Sequence, residues 1–253
     1  AKDLTPKGYE YFPVAGRGIG AETDLSPTEK FSIMFQADGH KVNTYSETPS
    51  QESVTRFKNR SELDILAGHS TVKFCFSKQR KIDAILNDFS TWGTFTEKTT
   101  LPAKNNVKER RVFAFINVPQ ILMNKDLSQL FDITKFSRAK ARKFLEYITI
   151  WDGFTCGAGF GYSNTNKGSI DLVQQVAILA GYRANISIAP DTRSDQFTTC
   201  YKVHWYLTDR VSGQSLRNSL RRTKYNGQVY CVTVPKGNII TRRNGKVLIA
   251  GNC

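Results

Sequence analysis

Apolar residues at helical spacing predict an early helix that ends in Asp-Gly. Ser26, Pro27 and Glu29 form a helix start, because serine caps a helix, proline fits its first turn, and glutamate three residues after the cap completes a capping box. The apolar pattern then runs through residues 31–35 and stops at Asp38-Gly39. We therefore expect an amphipathic helix with an acidic residue at its carboxyl end.

The same pattern recurs about half the chain later. Ser137 can cap a basic helix over 138–147, and the apolar positions continue to Ile150 before the chain reaches Asp152-Gly153. Strands and a further helix are predicted after each Asp-Gly pair. In the first half these are a strand over 72–76, a helix with Ser77 as its N-cap, and a strand over 107–116; in the second, a helix over 169–180 and strands over 184–188 and 197–207. The order predicts two related α/β halves in an α+β chain.

Both ends of the chain are predicted to be strand-rich. Turn residues precede a short strand near Phe12, and a glycine-rich linker covers 16–20. In the tail, strands are expected over 228–234, 238–241 and 246–250, with turns at Asn226-Gly227 and Asn244-Gly245.

The excess of basic over acidic residues indicates which class of molecule the chain binds. The chain has 36 Lys and Arg against 22 Asp and Glu, a formal net charge of +14. Such an excess favours a polyanionic partner, most simply nucleic acid. The alternative is a basic protein that its charge merely keeps in solution.

Membrane and zinc-binding classes are disfavoured. No apolar run reaches the roughly 20 residues needed to span a bilayer, and no signal peptide is recognisable. The five cysteines form no CxxC pair and are odd in number, so we expect reduced thiols in a cytoplasmic protein. Cys75 and Cys200 lie in apolar strand-like runs and are expected in the core.

Acidic residues at the ends of two related helices suggest a metal site. An acid is electrostatically unfavourable at a helix carboxyl end, yet it occurs twice in equivalent places. If the two helices pack side by side, Asp38 and Asp152 come together, and a divalent cation such as Mg²⁺ relieves their repulsion. The alternative is that each Asp merely precedes a helix-terminating glycine.

Residues 31–39 and 145–153 resemble the two motifs of single-chain LAGLIDADG homing endonucleases. The resemblance implies a pseudo-symmetric, monomeric, two-repeat fold whose saddle-like antiparallel sheets bind double-stranded DNA. It also implies Mg²⁺-dependent hydrolysis of a phosphodiester, with Asp38 and Asp152 as the catalytic metal ligands. Gln36 could position a water. Lys202 and Arg111 match basic residues that neutralise transition-state charge, although each could equally be a solvated or phosphate-contacting strand residue.

Basic residues around these motifs are expected to contact DNA phosphates. They are Arg56, Lys58, Arg60, Lys73, Lys78, Arg80, Lys81, Lys108, Arg110 and Arg183.

A second resemblance lies at the chain ends. Residues 229–235, 242–247 and 250–253 resemble the two C-terminal sequence blocks of inteins, and 1–8 resembles the segment after the second N-terminal block. This implies a partial, all-β Hint splicing domain from 1–16 and 213–253 around an endonuclease over 17–212, with repeats at about 26–125 and about 137–212. Asn252 would then cyclise to a succinimide and break the 252–253 bond, and the Cys253 thiol would hold the acyl group.

The chain departs from the intein pattern in several places. It starts with Ala1 instead of Cys or Ser, which leads us to expect the C-terminal fragment of a split intein, or a trimmed chain, that needs an N-terminal intein fragment as its partner. Gly251 and Asn238 stand where histidines are often found. Cys231 is interpreted as a residue that assists splicing, or else as a plain strand cysteine. A decayed endonuclease that binds DNA without cutting it remains the alternative function.

Overall fold

The computed structural model describes residues 11–42, 70–102, 109–189, 199–212, 224–228, 230, 232–234 and 237–251. The chain divides into two compact units. One comprises Leu25–Phe131 with Ile150–Asp152, and the other comprises Ala1–Asp24, Asp132–Thr149 and Gly153–Cys253. No described helix is long and apolar enough to cross a membrane.

Four helices and twelve strands make up the described elements. In chain order they are β1 (Tyr11–Pro13), α1 (Pro27–Asp38), β2 (His40–Val42), β3 (Ser70–Phe76), α2 (Gln79–Phe89), β4 (Phe95–Leu101), β5 (Arg110–Val118), α3 (Arg138–Trp151), β6 (Gly153–Cys156), β7 (Gly159–Asn164), α4 (Lys167–Leu179), β8 (Arg183–Ala189), β9 (Cys200–Tyr206), β10 (Arg210–Ser212), β11 (Asn238–Arg243) and β12 (Lys246–Gly251). Three short 3₁₀ turns lie between β5 and α3, at Gln120–Met123, Leu127–Gln129 and Ile133–Lys135.

The predicted duplication is present in the described elements. After α1 comes an antiparallel sheet with strand order β2-β3-β5-β4, and after α3 comes one with order β6-β7-β9-β8. In both, two strands precede a helix and two follow it, so the halves share one αββαββ order.

The first helix begins and ends as its sequence predicts. Ser26 Oγ accepts from the Glu29 backbone N–H at 3.2 Å, and Glu29 Oε2 accepts from the Ser26 N–H at 2.8 Å, which is a complete capping box. At the other end, the glycine that follows the helix packs directly on the helix backbone. A Cβ on Gly39 would collide with the Phe35 ring and lie 2.7 Å from the Phe35 carbonyl oxygen. Gly153 packs in the same way on Thr149, four residues before it.

Aromatic rings fill the core of the first sheet. Phe74 of β3 and Phe115 of β5 are buried on the face that Phe31 of α1 covers, and the Phe31 and Phe115 ring centroids are 5.1 Å apart, edge to face. Since side chains alternate along a strand, Cys75 lies on the opposite face and is exposed. The expectation of a core cysteine there was wrong, and Cys200 is only half-buried.

The C-terminal hairpin packs on the second sheet. β11 and β12 pair antiparallel around Asn244-Gly245, whose φ angles of 49° and 72° confirm the predicted turn. The Ile186 N–H of β8 donates to the Gly245 carbonyl at 2.9 Å. Near the other end of the chain, β1 pairs with β10. A separate splicing domain at 1–16 and 213–253 stays a prediction.

Two helix starts and one strand of the tail differ from expectation. α2 is capped at Lys78 rather than Ser77, with no side-chain cap bond. α4 begins at Lys167, because Asn166 Oδ1 accepts from the Ser169 N–H and caps the helix earlier than expected. The strand predicted over 228–234 is absent from the described residues of that segment, 228, 230 and 232–234.

Candidate active site

The two acidic residues of the Asp-Gly pairs meet at one lysine. Asp38 is the last residue of α1, and Asp152 is the turn residue between α3 and β6. Both belong to the compact unit that contains Lys81. Asp38 Oδ2 is ion-paired with Lys81 Nζ, and Asp152 Oδ1 lies 3.6 Å from the same nitrogen.

Lys81 is held in the first turn of α2 on the helix face that packs inward. Ile82 and Ile85 of that face are buried, and the Lys81 side chain is only 7% exposed. Its ammonium lies 5.9 Å from the Phe76 ring centroid. A buried ammonium needs ionic partners, which the two carboxylates supply. The Lys81 charge is paired with both acids in this structure, and its contact with a DNA phosphate stays a prediction.

A second lysine, Lys125, closes the carboxyl end of α1. Its Nζ donates to the carbonyl oxygens of Phe35 at 2.6 Å, Gln36 at 3.1 Å and Gly39 at 2.9 Å. The ammonium also lies 4.6 Å from the Phe35 ring centroid. The Phe35 carbonyl also accepts the Gly39 backbone N–H at 2.9 Å, and the cation adds a charged donor at this helix end that opposes the negative end of the helix dipole.

The two lysines explain how an acid is tolerated at this helix end. Burial raises the pKa of Asp152, and the nearby Asp38 charge raises it further, whereas the charges of Lys81 and Lys125 lower it. Burial lowers the pKa of Lys125, against the opposing effect of the Asp38 and Asp152 charges. The site is thus a balance of two anions and two cations in a half-buried setting.

The donor atoms of this site fit a hard divalent cation. One carboxylate oxygen of Asp38 and one of Asp152 lie close to the Lys81 ammonium nitrogen. A single small cation at that position would contact both acids. In the described part of the chain no group of three or more His, Cys, Asp or Glu could hold a metal ion, and this site would supply two carboxylate ligands. Mg²⁺ suits such a site, since it keeps several waters and binds through one or two carboxylates.

Sequence reasoning missed Lys125 entirely. The residue lies in an irregular segment between two 3₁₀ turns, where no periodic pattern marks it. Its partners are backbone carbonyls about 90 positions earlier, a relationship that only the tertiary fold creates.

The other predicted catalytic residues have the following surroundings within their own compact units. Gln36 is buried in α1. Arg111 makes a bidentate pair with Glu97, at 2.7 Å for both nitrogens, and lies over the Phe113 ring. Lys202 is in β9 of the other compact unit. The catalytic roles of Arg111 and Lys202 and the water-positioning role of Gln36 stay predictions.

The predicted DNA contacts fall into three groups. Lys73, Lys78, Arg80 and Arg110 are exposed, which suits contact with a polyanion. Arg183 is half-buried and stacks on Tyr206, with 4.5 Å from its guanidinium carbon to the ring centroid. Arg56, Lys58, Arg60 and Lys108 lie outside the described residues.

The second sheet has a polar face opposite the face with the buried Trp205 and Val203. Cross-strand pairing places Lys202 between Ser163 and Ser187, and His204 between Gly161 and Asn185. The Phe154 ring lies edge-on to His204, 5.7 Å between centroids. Burial lowers the pKa of His204, and the Lys202 charge lowers it further. A face that combines cationic, amide and aromatic groups is suited to nucleic-acid binding.

The residues assigned to splicing, Asn252, Cys253 and Cys231, lie outside the described residues. The last described residue, Gly251, ends β12.

Comparison with known proteins gives partial likenesses. No family model matches the chain. It is 29% identical over 259 aligned residues to the ribonucleoside-diphosphate reductase subunit beta of Aquifex aeolicus (strain VF5), a match that covers 95% of this chain and 33% of that protein. The chain thus spans about a third of the length of this curated relative.

Solved structures of a homing endonuclease are weakly similar to this chain. Mesophilic variants of the homing endonuclease I-DmoI match with a TM-score of 0.40 and 14% identity, over 72% of this chain and 91% of that one. I-DmoI in complex with DNA and Mn matches with a TM-score of 0.39 and 13% identity, over 72% and 92%. At this level the likeness does not assign the chain to a family.

Proposed function

We propose that the chain is a site-specific DNA endonuclease of the LAGLIDADG type that cuts double-stranded DNA with Mg²⁺. The observation that carries the proposal is the meeting of Asp38 and Asp152 at Lys81. These acids come from equivalent ends of two helices in a duplicated αββαββ order. An acid is unfavourable at a helix carboxyl end, so the convergence of the two acids favours a chemical role.

The residues of the site have separable tasks in this proposal. Asp38 and Asp152 would hold the divalent ion, which when bound supplies Lewis-acid activation of water and stabilisation of a leaving oxygen. Lys125, fixed by three carbonyls, would keep the carboxyl end of α1 and hence Asp38 in position. Lys81 supplies positive charge beside both acids.

DNA binding is supported by charge and by surface chemistry. The net charge of +14 favours a polyanion at the level of the whole chain. The exposed Lys73, Arg80 and Arg110 would contact phosphates, and the polar face with Lys202 and His204 would approach the duplex.

The named relative suggests a host protein. A ribonucleoside-diphosphate reductase subunit beta matches this chain over only a third of its own length. We propose that the matched third is an element of this kind carried inside a host enzyme. Uninterrupted genes for that subunit are then the first candidates for the DNA target.

We propose protein splicing as a second activity, because the tail resembles the C-terminal blocks of inteins. The hairpin β11–β12 ends at Gly251, directly before Asn252. We propose that the Cys253 thiol attacks the ester or thioester that joins the preceding extein to the first residue of an N-terminal intein fragment, so that the extein acyl group moves to Cys253 and the thiol or hydroxyl of that first residue leaves. The Asn252 side-chain nitrogen then attacks its own backbone carbonyl, closes a succinimide and releases the amine of Cys253. Cys231 would assist. Asn252→Ala should abolish cleavage at 252–253 in mass spectra of a fusion; persistence of that cleavage would contradict the assignment.

Cleavage of a pooled duplex library tests the nuclease proposal. The pool should contain uninterrupted ribonucleoside-diphosphate reductase genes and unrelated control genes, incubated with the protein and Mg²⁺ or with a chelator. We expect double-strand cuts at one sequence that the chelator abolishes. Tight binding without cutting would support the alternative, a decayed endonuclease, and neither binding nor cutting would contradict the proposal.

A further inference from the structure

The positive charge that lies beside both Asp38 and Asp152 is the ammonium of Lys81. We infer that Lys81 is the internal counter-ion of the Asp38–Asp152 pair and that a divalent cation binds there by displacing the Lys81 ammonium. This inference rests on the proposed metal site and adds the residue that regulates its affinity.

The Lys81 side chain is much less exposed to solvent than the two acids that it contacts. The Lys81 side chain is 7% exposed, whereas those of Asp38 and Asp152 are 29% and 36% exposed. An ion arriving from solvent therefore reaches the carboxylates from their open side, and the ammonium lies on the protein side. Both acids direct an oxygen toward that ammonium, so the oxygens that would hold a metal are the ones that Lys81 engages.

Electrostatics makes the two cations competitors. Like charges a few ångströms apart repel strongly in a half-buried site, where the effective dielectric constant is well below that of water. A divalent ion on Asp38 and Asp152 would face the Lys81 ammonium at close range. The lysine must withdraw or the metal must bind weakly, and its long, flexible side chain allows the ammonium to move toward solvent.

Lys125 is not a counter-ion that a metal ion would displace. Three carbonyl oxygens at the end of α1 hold its ammonium, and they keep it in place whether or not the acids carry a metal. In the described part of the chain, the ion pairs of Lys81 are those with the two acids. Lys81 is thus exchangeable and Lys125 is fixed.

Calorimetric titration with Ca²⁺ in the absence of DNA tests the inference without using cleavage. Lys81→Met should bind Ca²⁺ about 10-fold or more tightly than the unaltered chain, because the competing charge is gone. Lys81→Arg should bind as the unaltered chain does. The matched control is Lys30→Met, which removes a lysine that pairs with Asp88 and should leave the affinity unchanged. Equal or weaker binding by Lys81→Met would overturn the inference.

Asp38→Asn separates this inference from the proposed function. If the unaltered chain binds Ca²⁺ and Asp38→Asn does not, the metal site stands, and the Lys81→Met result alone decides the role of the lysine. If neither the unaltered chain nor Lys81→Met binds Ca²⁺, both the metal site and the inference fail.

A measurement on the unaltered chain guards against a variant that does not fold. With ¹⁵N-labelled lysine, the Nζ signal of Lys81, assigned through Lys81→Arg, should move toward that of a solvated ammonium as Ca²⁺ is added. The Lys125 signal should remain that of a hydrogen-bonded ammonium. A Lys81 signal that stays in place while Ca²⁺ binds would overturn the inference.

Discussion

Gln174 donates its side-chain Nε2 to the backbone carbonyl of Gly245 at 2.7 Å and thereby fixes the tip of the C-terminal hairpin to α4. The same nitrogen donates to the Ala184 carbonyl at 3.1 Å, and Gln174 is almost completely buried. Arg242 of β11 adds an ion pair with Asp171 of α4 at 2.6 Å. The segment that leads to Asn252 is therefore anchored to the second αββαββ half.

Gln174→Met should loosen this attachment. The substitution keeps the bulk of the side chain but leaves the Ala184 carbonyl without the Gln174 donor and removes one of the two donors of the Gly245 carbonyl. We expect a loss of about 1–3 kcal/mol in the free energy of unfolding, measured by urea denaturation. Gln175→Met, one residue along on the exposed face of α4, is the control and should change stability little. Equal stability of the two variants would contradict the anchoring role.

Gly39→Ala and Gly153→Ala should both destabilise the chain. Each added Cβ would collide with a residue four positions earlier, the Phe35 ring in one case and the Thr149 backbone in the other. We expect a cost of about 1–3 kcal/mol for each, read from the thermal midpoint. Gly93→Ala, where a Cβ would have no neighbour within 4 Å, is the matched control and should be close to neutral.

Lys125→Met should weaken the carboxyl end of α1. Three carbonyls lose a charged donor, so we expect a loss of about 1–3 kcal/mol in unfolding free energy and faster amide exchange in the last turn of the helix. The exposed Lys135 provides the control, and Lys135→Met should leave both quantities unchanged. Unaltered exchange in Lys125→Met would show that the helix end does not depend on this lysine.

His204 should make the folded state less stable in mild acid. Burial and the Lys202 charge lower its pKa in the folded chain, so the unfolded chain binds the proton more readily. The contribution of His204 to stability is therefore lost as pH falls through the unfolded value of about 6.5. NMR titration of the imidazole should give a pKa below that value, and Lys202→Met should raise it. A pKa at or above the ordinary value would contradict this description of the face.

Local patterns predicted much of the helical framework. The capping box at Ser26 and the turn at Asn244-Gly245 are decided within a few residues, so the sequence suffices to locate them. The position of Cys75 was also predictable, because strict alternation with Val72, Phe74 and Phe76 directs it to the other face. The apolar neighbours of Cys75 favour burial, but the two-residue period of the strand decides which face it lies on.

The cations of the candidate site could not be predicted in the same way. From the sequence alone, Lys81 is predicted to be one of many exposed basic residues. No neighbouring residue indicates that it contacts two carboxylates 43 and 71 positions away. Lys125 is bound to backbone carbonyls that carry no sequence signal. The acids were recognisable from the repeated Asp-Gly, but their neutralising partners come from tertiary packing.

The most direct test of the account measures single-turnover cleavage of the identified DNA site by Asp38→Asn and Asp152→Asn in Mg²⁺. The matched control is Asp88→Asn, which removes an acid that pairs with Lys30. Each of the first two variants should lose cleavage by a factor of about 100 or more while its affinity for the duplex is retained, and the control should cut at the unaltered rate. Undiminished cleavage by either Asp38→Asn or Asp152→Asn would contradict the assignment of the carboxylate pair as the catalytic centre.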